Sequence, residues 1–499
     1  MEERMKSFHL VCCVLASLLL IGGVQAADYT LEAYQTKAEE ASGEAEMIEL
    51  MKDFMANAED IEVLRTVQSS WEQMDPDGAL AYARELVEEH PESAKHLYLL
   101  GRVVQSPPEQ VEIGRRVIEM DPDWPYGYRL VTASYATNLF DATKESEETA
   151  QLAQMLDADG AHFVTFAELQ PDEPLSWRFL KAYYMHTGDW QGLEEALDKA
   201  KEVNPGLASQ VEYATCYAGK GDIARAKQTV QEFVEQMVSS GNIPAGDQDK
   251  YMNHFYRTAL VDARQFDAAI EFVKSSEGFE SDKEALYDAA CLYSLKGDAT
   301  AAITHLERAA EAGWDDAWHM SQDPDMEPLR DDPRYAAVVT TVEANWESGA
   351  DQRKAEALAG KISKPAPGWS LEDAEGNTVS LADLKGKVVV LDFWATWCGP
   401  CRMAMPMIDE FVEEHAAEDV RVFSVNVWEE QGAKQKEYMQ EHDYDMTLLY
   451  GTNDLAREYG VQGIPHLCVI DKDGNIRYEA GGVHAGLLEN LIWWTNDLL

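Results

Sequence analysis

The chain has 499 residues, 45% of them hydrophobic, and a formal net charge of -50 at pH 7. That length calls for two or three domains, each able to bury its own core, and the apolar fraction excludes a disordered chain. A surface this acidic repels nucleic acid and anionic lipid, so neither is expected as a partner; the acidity is spread along the chain and reads as a solubility trait.

The first element is an export signal. Arg4 and Lys6 supply a weak basic start, Leu10 to Val24 is an apolar run, and Val24-Gln25-Ala26 is a small-residue cleavage site. The run is shorter than the about 20 residues that span a membrane. Residues 1–26 therefore read as a signal peptide that takes Cys12 and Cys13 with it, a retained anchor being the alternative. The mature chain is expected in the periplasm or cell envelope, where disulfides can form.

Residues 27–350 read as a helical repeat region. The turn Gly188-Asp189 recurs 33 positions on (221 - 188) as Gly221-Asp222 and again as Gly297-Asp298. Before each turn stands a helix of aromatic and small residues (FLKAYYMHTGD, VEYATCYAGKGD, LYDAACLYSLKGD). After each comes a helix with apolar residues at three- and four-residue spacing, as in Ala299, Ala302, Ile303 and Leu306. Helix, turn, helix at a period of about 34 resembles the tetratricopeptide repeat. The repeats are degenerate, and no boundary can be set between Asn138 and Pro174. Such an array implies an extended surface that binds a protein segment, a spacer or dimerisation element being the alternative. Cys216 and Cys291 fall at small-residue positions and read as packing thiols.

From 351 to 367 the chain is charged and rich in Ala, Gly and Pro, and its first part, 351–364, reads as a linker. From 365 to 499 short strands and helices alternate, the pattern of an α/β sandwich. KVVVLDFWA is a continuous apolar strand of the kind buried on both faces. Met403 to His415 is helical, RVFSVNVW a second buried strand, Lys434 to His442 helical and TLLYGT strand-like. HLCVIDKDGNIRYEAGG reads as a hairpin turning at Asp473-Gly474, and Ala485 to Leu498 as an amphipathic helix.

Between the first of these strands and its helix lies Cys398-Gly399-Pro400-Cys401. A zinc site would need two more ligands at similar spacing, and the mature chain adds only Cys216, Cys291 and Cys468, with no second Cys-x-x-Cys. No metal or cofactor is expected. The helix N-terminus places unpaired N–H groups and a partial positive charge beside Cys398, which favours its thiolate. Cys401 lies one turn on, within disulfide reach, and Pro400 is tolerated where its missing N–H had no partner. An exposed nucleophilic thiol beside a buried resolving thiol is dithiol chemistry.

WCGPC after an apolar strand resembles thioredoxin, and 365–499 as a whole resembles the TlpA/ResA-type thiol–disulfide oxidoreductases of the bacterial cell envelope. The opening PAPGWSLEDAEGNTVSLADLKGKVVVLDFWATWCGPC and the loop GIPH carry the likeness. The fold class expected is thus a tetratricopeptide-like helical solenoid followed by an α/β thioredoxin-like domain. The resemblance implies that Cys398 attacks the substrate and Cys401 resolves the mixed disulfide. It implies that Asp392 assists proton transfer, a core carboxylate with its hydrogen bonds satisfied being the alternative. Trp397, Gly399, Pro400, Ile464 and Pro465 would bind substrate, with Pro465 in the cis form. Glu429 would sit beside the redox pair, unless it and Glu430 are merely solvated. His466 replaces the family's more usual Thr, and Cys468 reads as a buried strand residue. A peroxiredoxin reading lacks its Pro-x-x-x-Thr-x-x-Cys run, since Ala395 stands three before Cys398.

The function expected is reduction of protein disulfides in client proteins. A Gly-Pro dipeptide between the cysteines is the one thioredoxin has, at roughly -270 mV. A membrane thiol reductant would recharge the pair, and the repeats would hold a client or partner protein. The alternative is an assembly scaffold with an accessory redox domain.

Overall fold

The computed structural model describes residues 29–499 except 42, 141–145, 416–418 and 430–434. The export signal with Cys12 and Cys13, and Glu430, lie outside the described residues. The chain divides into two units between Ser276 and Glu277.

The described part of the first unit is helical, each helix packing on its sequence neighbours. The Gly-Asp pairs explain the turns. Gly188 and Gly221 adopt left-handed backbone (φ 72° and 82°), which glycine reaches without a Cβ clash, and end their helices. Asp189 and Asp222 then accept from the N–H groups of Gly192 and Arg225, capping the next helix. Gly297 (φ 86°) and Asp298 repeat the device in the second unit. One such turn is disguised in the sequence: Arg264 takes the left-handed place at φ 55°, 43 positions after Gly221 (264 - 221) and 33 before Gly297 (297 - 264). The stretch from Asn138 to Pro174 is occupied mainly by one long helix, Glu147–Leu169. It carries Asp159 into the core, where Arg115 and the Tyr135 hydroxyl satisfy its carboxylate at 2.5–2.9 Å. Among the described residues no helix is long and apolar enough to cross a membrane.

The second unit joins the remaining helices, from Lys283–Leu295 onward, to a thioredoxin-like domain. Its strands are β1 Lys364–Pro365, β2 Ser370–Glu372, β3 Thr378–Ser380, β4 Val388–Trp394, β5 Val420–Asn426, β6 Thr447–Tyr450, β7 His466–Ile470 and β8 Asn475–Gly481. The main sheet runs β1-β8-β7-β4-β5-β6, and β2 and β3 form a separate hairpin. β4, β5 and β6 are parallel, whereas β7 is antiparallel to β4 and β8 to β7. Both faces are covered. Val388, Val390 and Trp394 face a core shared with the Gly399–Glu410 and Leu487–Leu498 helices; Val389, Leu391 and Phe393 face another with Leu455, Tyr459 and Cys468.

The stretch read as a linker is largely a helix, Ala350–Ala359, docked on the C-terminal helix Leu487–Leu498. The Trp494 indole N–H donates to the Ala357 carbonyl at 3.0 Å, and Arg353 stacks on Trp346 while pairing with Glu489 at 3.0 Å. Lys361 and Asp497 close the contact at 2.5 Å. The distances show a packed joint, not a free tether.

The turns give a stability test. A Cβ added at Gly297 would meet nothing within 4 Å, so Gly297→Ala strains only the left-handed backbone, at about 1–2 kcal/mol. Arg264→Gly should shift the other way, relieving the strain its turn already carries. Urea midpoints of the two variants against the parent check this, and an unchanged midpoint for Gly297→Ala would refute it.

Candidate active site

β4 is buried at every residue and delivers the chain to the N-terminus of the Gly399–Glu410 helix. Cys398 is the residue that caps this helix: its Sγ accepts the Cys401 N–H at 3.1 Å. Cys398 and Cys401 are joined in a disulfide, with Cα atoms 5.2 Å apart. The sequence reading made Cys398 exposed; in the disulfide it is only 4% exposed and Cys401 1%. The physical reason is the cover around it. Ile464 brings its carbonyl to 3.6 Å from Cys398 Sγ across a cis Ile464–Pro465 bond. Trp397 stands beside it, half exposed. Its indole N–H donates to the Trp428 carbonyl at 2.9 Å, which the left-handed backbone of Trp428 (φ 55°) turns inward. On the other side the surface is open: a Cβ at Gly399 would meet nothing within 4 Å.

Glu429 is not a solvated surface acid. Its carboxylate accepts from the Thr396 N–H (2.9 Å), the Thr396 hydroxyl (2.6 Å) and the Asn426 side-chain amide (2.6 Å). Gln435 in turn donates its side-chain amide to the Asn426 side-chain oxygen Oδ1 at 3.1 Å. The carboxylate thus ties the loop that precedes Cys398 to the end of β5. Thr396, Asn426, Trp428 and Gln435 were not singled out from the sequence. The first three adjoin the motifs that were, which is the only signal they gave.

Asp392 lies in the middle of β4 with no exposed surface, and neither carboxylate oxygen finds a hydrogen-bond partner. The alternative of a satisfied core carboxylate does not describe it. Strand alternation puts it on the face of Val390 and Trp394, which is the face that carries Cys401. Its register neighbours are Ser424 on β5 and Leu467 on β7. Burial alone pushes its carboxyl up to about 7.

The cis-proline loop edges a groove of about 350 Å³ that Gln462, Ile464, Pro465, His466 and the glycines 481 and 482 line. The Pro465 carbonyl accepts from Gly482 at 2.9 Å, so the Ile464 backbone is the part turned to the disulfide. Among the described residues two side-chain groups have ligand types and spacing suited to a metal: His466, Cys468 and Glu479, and Cys291, Asp323 and Asp325. In the second, Asp323 is already engaged by the Tyr287 hydroxyl, the Cys291 thiol and the Asp325 N–H.

The family model described as the AhpC/TSA family matches residues 362–479. Thiol-disulfide oxidoreductase ResA of Bacillus thuringiensis subsp. konkukian (strain 97-27) is 32% identical over 123 residues, covering 24% of this chain and 70% of that protein. The chain belongs to the ResA thiol–disulfide oxidoreductase family. The thioredoxin-like protein YneN of Bacillus subtilis (strain 168) is 33% identical over 125 residues, 25% of this chain and 71% of its own. Thiol:disulfide interchange protein DsbE of Yersinia pestis is 34% identical over 137 residues, with coverage of 26% and 68%. Each of these matches covers 24–26% of the chain, and the family model lies within the thioredoxin-like domain.

A pH dependence follows from Asp392. Unfolded, the carboxyl titrates near 3.9; folded, at about 7. The folded state therefore holds the proton more tightly. The stability this gives is complete below about pH 4 and is lost as pH rises through 7, by about 4 kcal/mol in all. Asp392→Asn carries no charge and should lose that decline, ending roughly 2–4 kcal/mol more stable than the parent at pH 8. Urea unfolding of the disulfide form at pH 5, 6.5 and 8 measures the difference; an equal fall in both proteins would rule this assignment out.

Proposed function

We propose that the protein is a cell-envelope reductase of protein disulfides, working through the Cys398–Cys401 dithiol, with its helices holding a client or partner protein. The observation that carries this reading is the Cys398 sulfur at a helix N-terminus, receiving the Cys401 N–H and facing the Ile464 carbonyl of a cis-proline loop.

In the reduced protein the Cys398 thiolate, favoured by that N–H and the helix N-terminus, attacks one sulfur of a client disulfide. The client S–S bond breaks, a mixed disulfide forms, and one client sulfur leaves as thiolate. Cys401 gives its proton to the Asp392 carboxylate, which lies on the same sheet face and titrates near neutrality. Its thiolate attacks Cys398 Sγ, closes the protein disulfide and releases the second client sulfur. The client gains two electrons and the protein loses two, so a thiol reductant on the membrane must reopen the pair. The open surface at Gly399 and Pro400 and the exposed Trp397 give a client chain room beside the sulfur. Backbone at Ile464 offers it a strand-like partner. Glu429 acts by holding the 394–397 loop in place.

The test is mixed-disulfide trapping at the native location. Cys401→Ser should accumulate discrete covalent adducts on non-reducing gels after acid quench, and these should vanish when Cys398→Ser is added. Asp392→Asn should slow resolution by roughly 10²-fold, with the deficit smallest at high pH where Cys401 ionises unaided. A lane free of adducts from folded, exported protein would favour a scaffold whose redox domain is accessory.

A further inference from the structure

β7 carries two more polar side chains that the redox chemistry does not use. Alternation turns His466 and Cys468 to the face away from the redox helix, and the antiparallel register sets Glu479 of β8 directly opposite Cys468. A ring nitrogen of His466, Cys468 Sγ and a Glu479 carboxylate oxygen all lie within 4.8 Å of one another. The sulfur is 3.9 Å from the Glu479 oxygen. Cys468 has no exposed surface, and the buried His466 Nε2 finds no hydrogen-bond partner.

An imidazole, a thiol and a carboxylate that converge with a buried nitrogen unpartnered make a donor set for a borderline-soft cation. Metal–ligand bonds of about 2.0–2.3 Å place neighbouring donors of a tetrahedral site roughly 3.5 Å apart, so donors that lie within 4.8 Å of one another draw together when an ion binds. Gly481 stands opposite His466 and Gly482 follows it. His466 lines the open groove bounded by these glycines, so one of the three donors borders solvent. Lys364 also faces His466 and Cys468 and opposes a cation, but it is an exposed side chain on the short β1 and can turn to solvent.

We propose that His466, Cys468 and Glu479 form a binding site for a thiophilic divalent cation of the Zn²⁺ class, on the sheet face opposite the disulfide. The Cys468 proton leaves to solvent as the metal–sulfur bond forms, and no electron moves. Because His466 directly follows Pro465, a bound ion would fix the cis-proline loop from behind.

The test uses the full chain in its oxidised form, in which Cys398 and Cys401 are closed and cannot ligate. After chelator treatment it is titrated with Co²⁺, then with Zn²⁺ in competition. One thiolate-to-cobalt absorption band is expected, displaced by Zn²⁺ and absent in Cys468→Ser. Losing a direct ligand costs at least as much as losing its supporting partner, about 10–100-fold in affinity. His466→Ala and Glu479→Gln should show a loss of that size, and Cys216→Ser and Cys291→Ser none. The proposal falls if the parent shows no band or if the band survives Cys468→Ser. If Cys468→Ser does not fold, unchanged affinity in both His466→Ala and Glu479→Gln overturns it instead. The oxidised protein turns over no disulfide, so the result is independent of how Cys398 reacts.

Discussion

β4 is the constraint on which the rest of the active site depends. It is the one strand paired with parallel β5 on one side and antiparallel β7 on the other, and no residue of it reaches solvent. Such a strand admits a charged side chain only at a cost, because water cannot reach it and the sheet offers no free donor. Asp392 is placed there without compensation, whereas Asp159, equally buried, is met by Arg115 and Tyr135. The contrast separates two uses of a buried acid. Asp159 is locked as a carboxylate that fastens helices together. Asp392 has no such partner, and burial raises its carboxyl to about 7.

The same strand sets the geometry of the sulfur. β4 leads into a short loop before Cys398, and Glu429, just past the end of β5, fixes that loop by binding both the N–H and the hydroxyl of Thr396. The cis Ile464–Pro465 bond fixes the opposite wall through β7. Cys398 is therefore positioned by groups on both neighbours of its own strand. On the same sheet face, the C-terminal helix packs beside the redox helix, and the Trp494 and Arg353 contacts seat the Ala350–Ala359 helix on it. The helices from Lys283 to Ala359 belong to the same unit as the disulfide.

What the sequence revealed and what it hid follow from range. WCGPC, the apolar strand before it and GIPH each act through neighbours in the chain, and the structure places them together as their order suggests. The docked helix was hidden because Arg353 and Ala357 find their partners 136 and 137 positions away; locally that stretch has only the composition of a linker. The Arg264 turn was hidden because an arginine fills a place that glycine marks elsewhere. Glu429 could not be decided between a solvated acid and a catalytic neighbour of the redox pair; its bonds to Thr396 and Asn426 show an acid engaged beside the pair. The closure over Cys398 likewise depends on Ile464, far away in sequence, so proximity to a helix start could not show it.

A protein that exchanges disulfides must also keep its other thiols out of the reaction. The attacking species is a thiolate, so a thiol is silenced by access and by protonation. Cys216 and Cys468 have no exposed surface and Cys291 is 8% exposed. Burial pushes the Cys216 thiol up to about 11 and the other two higher still. Each also has an acceptor for its proton: the Trp190 carbonyl, Asp323 and Glu479, respectively, for Cys216, Cys291 and Cys468. Cys468 lies in the same sheet that carries the redox pair. Strand alternation turns Leu467 and Val469 toward the redox helix and Cys468 away from it, so the sheet itself stands between its sulfur and Cys398. The period of two that builds the core is thus also what keeps the dithiol a pair.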